Sequence, residues 1–170
     1  MKYFVFTLLL ITIVSCSDSP EEMLLKARLN FNKGAFETTR YYLDDIIKDD
    51  SSNIDALLMM GKLEFELKNY KEAVNNLTKA INVNPDFIAA YKERSKSYRE
   101  LGMLDKAVSD LSKLISIYSN DGSMYLERAN VYFEMNQMDN ACRDWKKALE
   151  LGDVDAGRII EKFCTEMVIE

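Results

Sequence analysis

The chain has 170 residues, 48% of them hydrophobic, with 22 basic and 28 acidic side chains and a net charge of −6. That length suits one domain with a sizeable core. The acidic balance argues against nucleic acid, whose affinity needs Lys and Arg on phosphates. The absence of histidine excludes His-based zinc sites and His general bases.

Residues 1–15 read as a cleaved targeting segment. Lys2 supplies a positive start, and Phe4 to Val14 is an apolar run broken by Thr7 and Thr12. That run is too short for a bilayer, which needs about 20 residues. It ends in Ile13-Val14-Ser15-Cys16, which resembles the bacterial lipobox. The resemblance implies cleavage before Cys16 and acyl chains on its thiol and new amino group. The protein would then be lipid-anchored to a membrane. A secretory signal that leaves Cys16 without a special fate is the alternative. Each buried methylene contributes about 0.8 kcal/mol, and more than one chain makes attachment durable. Residues 16–19 would form a tether on the order of 15 Å. Ser17 after the cysteine implies, by the same resemblance, the outer membrane of a Gram-negative cell envelope.

From Pro20 onward the chain repeats itself every 34 residues. Ala27, Gly61, Ser95 and Ala129 form a small column; Thr39, Ala73, Ala107 and Ala141 form another. Leu43, Leu77, Leu111 and Trp145 are large, as are Ile47, Ile81, Ile115 and Leu149. Within each period the apolar residues recur at helical spacing in two runs, separated by breaks such as Lys68-Asn69 and Gly102-Met103. Two helices joined so tightly must pack closely, and the two small columns are expected to face each other. The units span 20–53, 54–87, 88–121 and 122–155, followed by a capping helix and C-terminus at 156–170.

These columns resemble the tetratricopeptide repeat. The second unit carries Leu57, Gly61, Tyr70, Ala73, Leu77, Ala80 and Pro85; the fourth carries Tyr125, Ala129, Tyr132, Ala141 and Trp145. The first is the weakest, with Thr39 where alanine is usual, and Glu64 stands where the family has an aromatic. The resemblance implies an all-α fold: a right-handed α-solenoid of four helix hairpins plus a C-terminal capping helix. Ala141 to Ala148, with Leu151-Gly152 and Ala156, also looks like the related Sel1-type hairpin.

Gly152 suits a helix stop and Asp153 a helix start, giving a last helix to about Val168. Its inner face would carry Ile159, Ile160, Phe163 and Met167. Cys142 and Cys164 lie equally far before and after that turn, at the same level of an antiparallel pair. They are a candidate disulfide, with two buried thiols as the alternative.

No catalytic constellation, cofactor loop or metal-ligand spacing is present, so the chain reads as a non-enzyme that takes no small-molecule substrate. Its carboxylates show no sign of being forced into an apolar setting. The first helix of each hairpin, by the family resemblance, lines a concave groove. There Leu24, Leu58, Lys92 and Leu126 form one column and Arg28, Lys62, Lys96 and Asn130 the next. Phe31, Phe65, Arg99 and Phe133 follow, with an acidic edge at Asn32, Glu66, Glu100 and Glu134. A basic stripe flanked by apolar anchors suits a protein or peptide segment ending in an acidic group. Self-association through an end of the solenoid, and service as an accessory subunit of an enzyme complex, are the competing readings.

Overall fold

The computed structural model describes residues 18–164; the leader, Cys16 and Met167 lie outside the described residues. Nine helices and no strand occur among them. In order these are α1 (Pro20–Asn32), α2 (Phe36–Asp49), α3 (Ile54–Glu66), α4 (Tyr70–Val83), α5 (Ile88–Glu100), α6 (Leu104–Ile117), α7 (Gly122–Glu134), α8 (Met138–Glu150) and α9 (Val154–Phe163). Each packs on its neighbours in sequence, α3 also touching α1 and α5, which is how a solenoid is built. No described helix is long and apolar enough to cross a membrane.

Starts and stops follow from local chemistry. Four helices open on side-chain caps. Ser19 accepts from the Glu22 N–H at 3.2 Å, Asn53 from Ala56 at 3.0 Å, Asp121 from Ser123 at 3.0 Å, and Asp153 from Asp155 at 3.1 Å. The turn inside each hairpin closes on the backbone instead. Ala35, Asn69, Met103 and Gln137 donate to the carbonyls of Asn30, Glu64, Tyr98 and Tyr132 at 2.8–2.9 Å. That closure puts Gly34, Lys68, Gly102 and Asn136, a strict 34-residue column, at φ of 72, 62, 69 and 58°. Two of the four repeats meet this left-handed requirement without glycine.

The core is a series of seams rather than one centre. Met23, Ala27, Leu43 and Ile46 of the first hairpin pack on Met59, Met60 and Leu63 of α3. Leu57, Leu77 and Ile81 then meet Ala90, and Leu111 and Leu114 meet Met124 and Val131. Trp145, 1% exposed, closes the stack with Ala129, Ala141 and the α9 residues Ile159, Ile160 and Phe163.

The small columns meet, as Thr39 and Ala27 do, and the first of them also makes room for a large one. A Cβ on Gly61 would stand 2.5 Å from Leu77 Cγ, so this glycine makes room for the large column of its own hairpin. In the first hairpin the Thr39 hydroxyl donates to Ala35 O at 3.0 Å and reaches Ala27 O at 3.4 Å. A hydroxyl thereby sits in the close contact without a lost hydrogen bond.

Cys142 and Cys164 form a disulfide, with Cα atoms 5.8 Å apart. It ties α8 to α9, whose fully buried side chain is otherwise Ala156. The capping helix begins at Val154, directly on the Asp153 cap.

Candidate peptide-binding groove

α3, α5 and α7 run side by side, and between them lies an open pocket of about 310 Å³. Phe65, Leu111 and Val131 supply its apolar walls and Ser95 a small floor; Lys96, Arg99, Glu100 and Glu127 form the rim. Of the expected groove residues, Phe65, Lys96 and Arg99 therefore converge. Leu24, Arg28 and Phe31 belong to the first hairpin and do not line the pocket, nor do Leu58, Lys62, Lys92, Leu126, Asn130 and Phe133.

From the second repeat onward the basic residues of the groove are not free charge. Lys62 and Lys96 flank Glu93, at 3.9 and 3.1 Å; Lys92 lies 4.0 Å from Glu127, and Arg99 pairs with Glu134. The reason lies one helical turn away from the stripe, in the column Leu25, Met59, Glu93, Glu127. It is apolar in the first two repeats and acidic in the last two. The groove rim is thus locally neutralised, and a stripe of net positive potential is not what a partner meets.

Other groove positions serve the scaffold. Asn130 Oδ1 accepts from Trp145 Nε1 at 3.1 Å, holding the indole rather than facing a ligand. Phe133, although 38% exposed, has its ring 5.7 Å from Trp145 and 5.0 Å from Phe163. Phe31 and Phe65 pack on Phe36 and Tyr70 at 5.8 and 5.4 Å. Leu24, Leu58 and Leu126 are half-buried against three different core seams.

Three carboxylates are buried, contrary to expectation: Glu64, Asp110 and Asp144, at 4%, 4% and 5% exposure. Each is met by an arginine. Burial pushes the Glu64 carboxyl up, but hydrogen bonds from Arg40 and Asn69, with the Arg40 charge, prevail and hold it below the ordinary glutamate value. The Arg40–Glu64 pair fills the column that carries Val108 and Tyr132 two repeats later. Such paired carboxylates are structural, and among the described residues no group of side chains is placed to hold a metal ion.

Stacked hairpins with a 34-residue period, open on one side in a shallow groove, define a helical-repeat scaffold. Models of the tetratricopeptide repeat match residues 54–87, 93–121 and 122–151, more than half of the chain, which belongs to that family. A crystal structure of MamA is similar over 82% of this chain and 81% of its own, with a TM-score of 0.75 at 24% identity. MamA from Desulfovibrio magneticus gives a TM-score of 0.75 at 16% identity, over 87% and 94% of the two chains. A thermophilic repeat protein of Thermus thermophilus gives 0.69 at 19%, over 86% and 82%. At these identities the likeness is one of fold. No curated protein matches the sequence.

Proposed function

We propose that the protein is a lipid-anchored scaffold of a Gram-negative cell envelope. It holds a segment of a partner protein in its groove and does no chemistry. The pocket between Phe65, Leu111 and Val131 carries this reading: apolar walls with a few polar groups at the rim are what recognises an inserted side chain. Because the rim cations already meet Glu93, Glu127 and Glu134, the partner is recognised by an apolar anchor. Backbone or polar groups beside that anchor bond to the rim. This replaces net negative charge as the basis of choice. The anchor rests on the Ile13-Val14-Ser15-Cys16 motif and on the short tether to Pro20.

Two measurements test the two halves. A photo-reactive side chain at Glu100, on the rim, is expected to capture one partner in cells. Phe65→Ala should cut that capture at least tenfold with helicity unchanged, and capture indifferent to Phe65 would sink the groove. Labelled palmitate should enter the chain and be lost in Cys16→Ser; an unlabelled chain would remove the anchor but not the groove.

A further inference from the structure

We infer that the outer face of α1 is an interface between two copies of this chain, packed antiparallel about a two-fold axis. Leu25 and Leu29, one turn apart and opposite the buried Met23 and Ala27, are 55% and 50% exposed. One repeat later the same columns hold Met59 and Leu63, 9% and 0% exposed, which pack on the hairpin before them. α1 therefore presents the surface with which an inner repeat covers its predecessor.

The far end of another copy is not available to cover it. There α9 sits on Trp145, tied down by the Cys142–Cys164 disulfide. The groove's apolar recess between Phe65, Leu111 and Val131 takes one inserted side chain and is rimmed by charged pairs, so it is no match for a stripe of two leucines. The surface that matches the α1 stripe is the same stripe on a second copy. A two-fold axis crossing α1 near Ala27 sets Leu25 of one copy against Leu29 of the other. It also places Glu21, in the acidic first turn, at the level of the other copy's Lys33, while Glu22 is already held by Lys26 at 3.1 Å. Lys33 makes no ion pair among the described residues. Antiparallel helices align their dipoles favourably as well. One helix-on-helix contact falls short of the roughly 1,600 Å² of a standard interface, so the pair forms at high local concentration and is read by trapping.

A photo-reactive phenylalanine analogue at Leu25 of the full chain should give an adduct of twice the chain mass, with the bond mapped to α1 of the second copy. Lys33→Glu should abolish that adduct, and Glu21→Lys with Lys33→Glu should restore it. The same analogue at Val154, 75% exposed at the opposite end, should give no doubled product. The inference fails if irradiation at Leu25 yields only an adduct of single-chain mass, a lipid adduct, a different protein or nothing. It fails equally if the double exchange does not restore the doubled product.

Discussion

Arg94 grips Asp110 through two parallel hydrogen bonds, Nε to one carboxylate oxygen and Nη2 to the other, both 2.8 Å. Its third nitrogen donates to Thr78 at 3.0 Å, so one guanidinium joins α4, α5 and α6. The plane lies between the rings of Tyr91 and Tyr98, at 5.4 and 5.5 Å. Thirty-four residues on, Arg128 repeats the arrangement with Asp144, Ser112, Tyr125 and Tyr132. Two seams of the solenoid are stapled alike.

Arg94→Ala leaves Asp110 buried without its partner and is expected to cost about 3–5 kcal/mol in urea unfolding. Arg94→Lys should recover only part, because an ammonium offers neither the fork nor the stacking plane. Arg94→Met with Asp110→Asn imports the residues of the preceding repeat, Met60 and Asn76. It should lie well above the single variant, since no buried charge is stranded.

Gly61→Ala sets two effects against each other. Helix propensity favours alanine by about 1 kcal/mol. The added Cβ meets Leu77 Cγ at 2.5 Å and Cδ2 at 2.7 Å, and overpacking a filled core costs about 1–3 kcal/mol. Sterics should win, with a net loss in thermal unfolding. Adding Leu77→Val should return part of the loss, which would show that the clash and not the backbone is responsible.

These residues show what a sequence makes legible in a repeat and what it hides. Period and hairpins could be read because burial repeats: Ala27, Ala73, Ala107, Ala129 and Ala141 are all fully buried. The cysteine pair could be placed because helical rise is uniform, so equal counts from one turn reach the same level. The Arg94–Asp110 grip could not. It depends on where two long side chains point across three helices; Arg128 and Asp144 repeat the pair, but Tyr42 and Asn76 break the Asp110 column in the first two repeats. Glu134 stands in the acidic edge read from the sequence, but Glu93 and Glu127 were hidden because their column changes character midway, from Leu25 and Met59. The Trp145 bond to Asn130 likewise took a residue from the apparent ligand face into the scaffold.

Glu64 gives the fold a defined acid limb. Its folded-state carboxyl lies below the ordinary value, so its contribution is complete above the unfolded-state value of about 4.3. It is lost as pH falls through the lower folded-state value. Glu64→Gln should cost roughly 1–3 kcal/mol at pH 7, and its deficit against the parent should shrink below about pH 4 in chemical denaturation. Arg40→Val alone strands the buried carboxylate. Arg40→Val with Glu64→Tyr copies the later repeats, where Val108 and Tyr132 hold those columns, and should restore stability while abolishing that part of the acid limb.

The capping helix provides the sharpest local test. α9 is held by a disulfide joining cysteines 22 residues apart, by Phe163 against Phe133 and Trp145, and by little else that is fully buried. Cys142→Ala with Cys164→Ala should lower stability by about 2–4 kcal/mol. In a solenoid each unit touches only its neighbours, so the loss should concentrate at that end. Amide exchange should rise through α9 and the C-terminal part of α8 while α3 and α4 stay protected. Trp145 is the chain's one tryptophan, and with 1% exposure its emission should shift to the red as the cap loosens. Uniform exchange along all helices would mean that the stack unfolds as one body and that the cap is no separate unit.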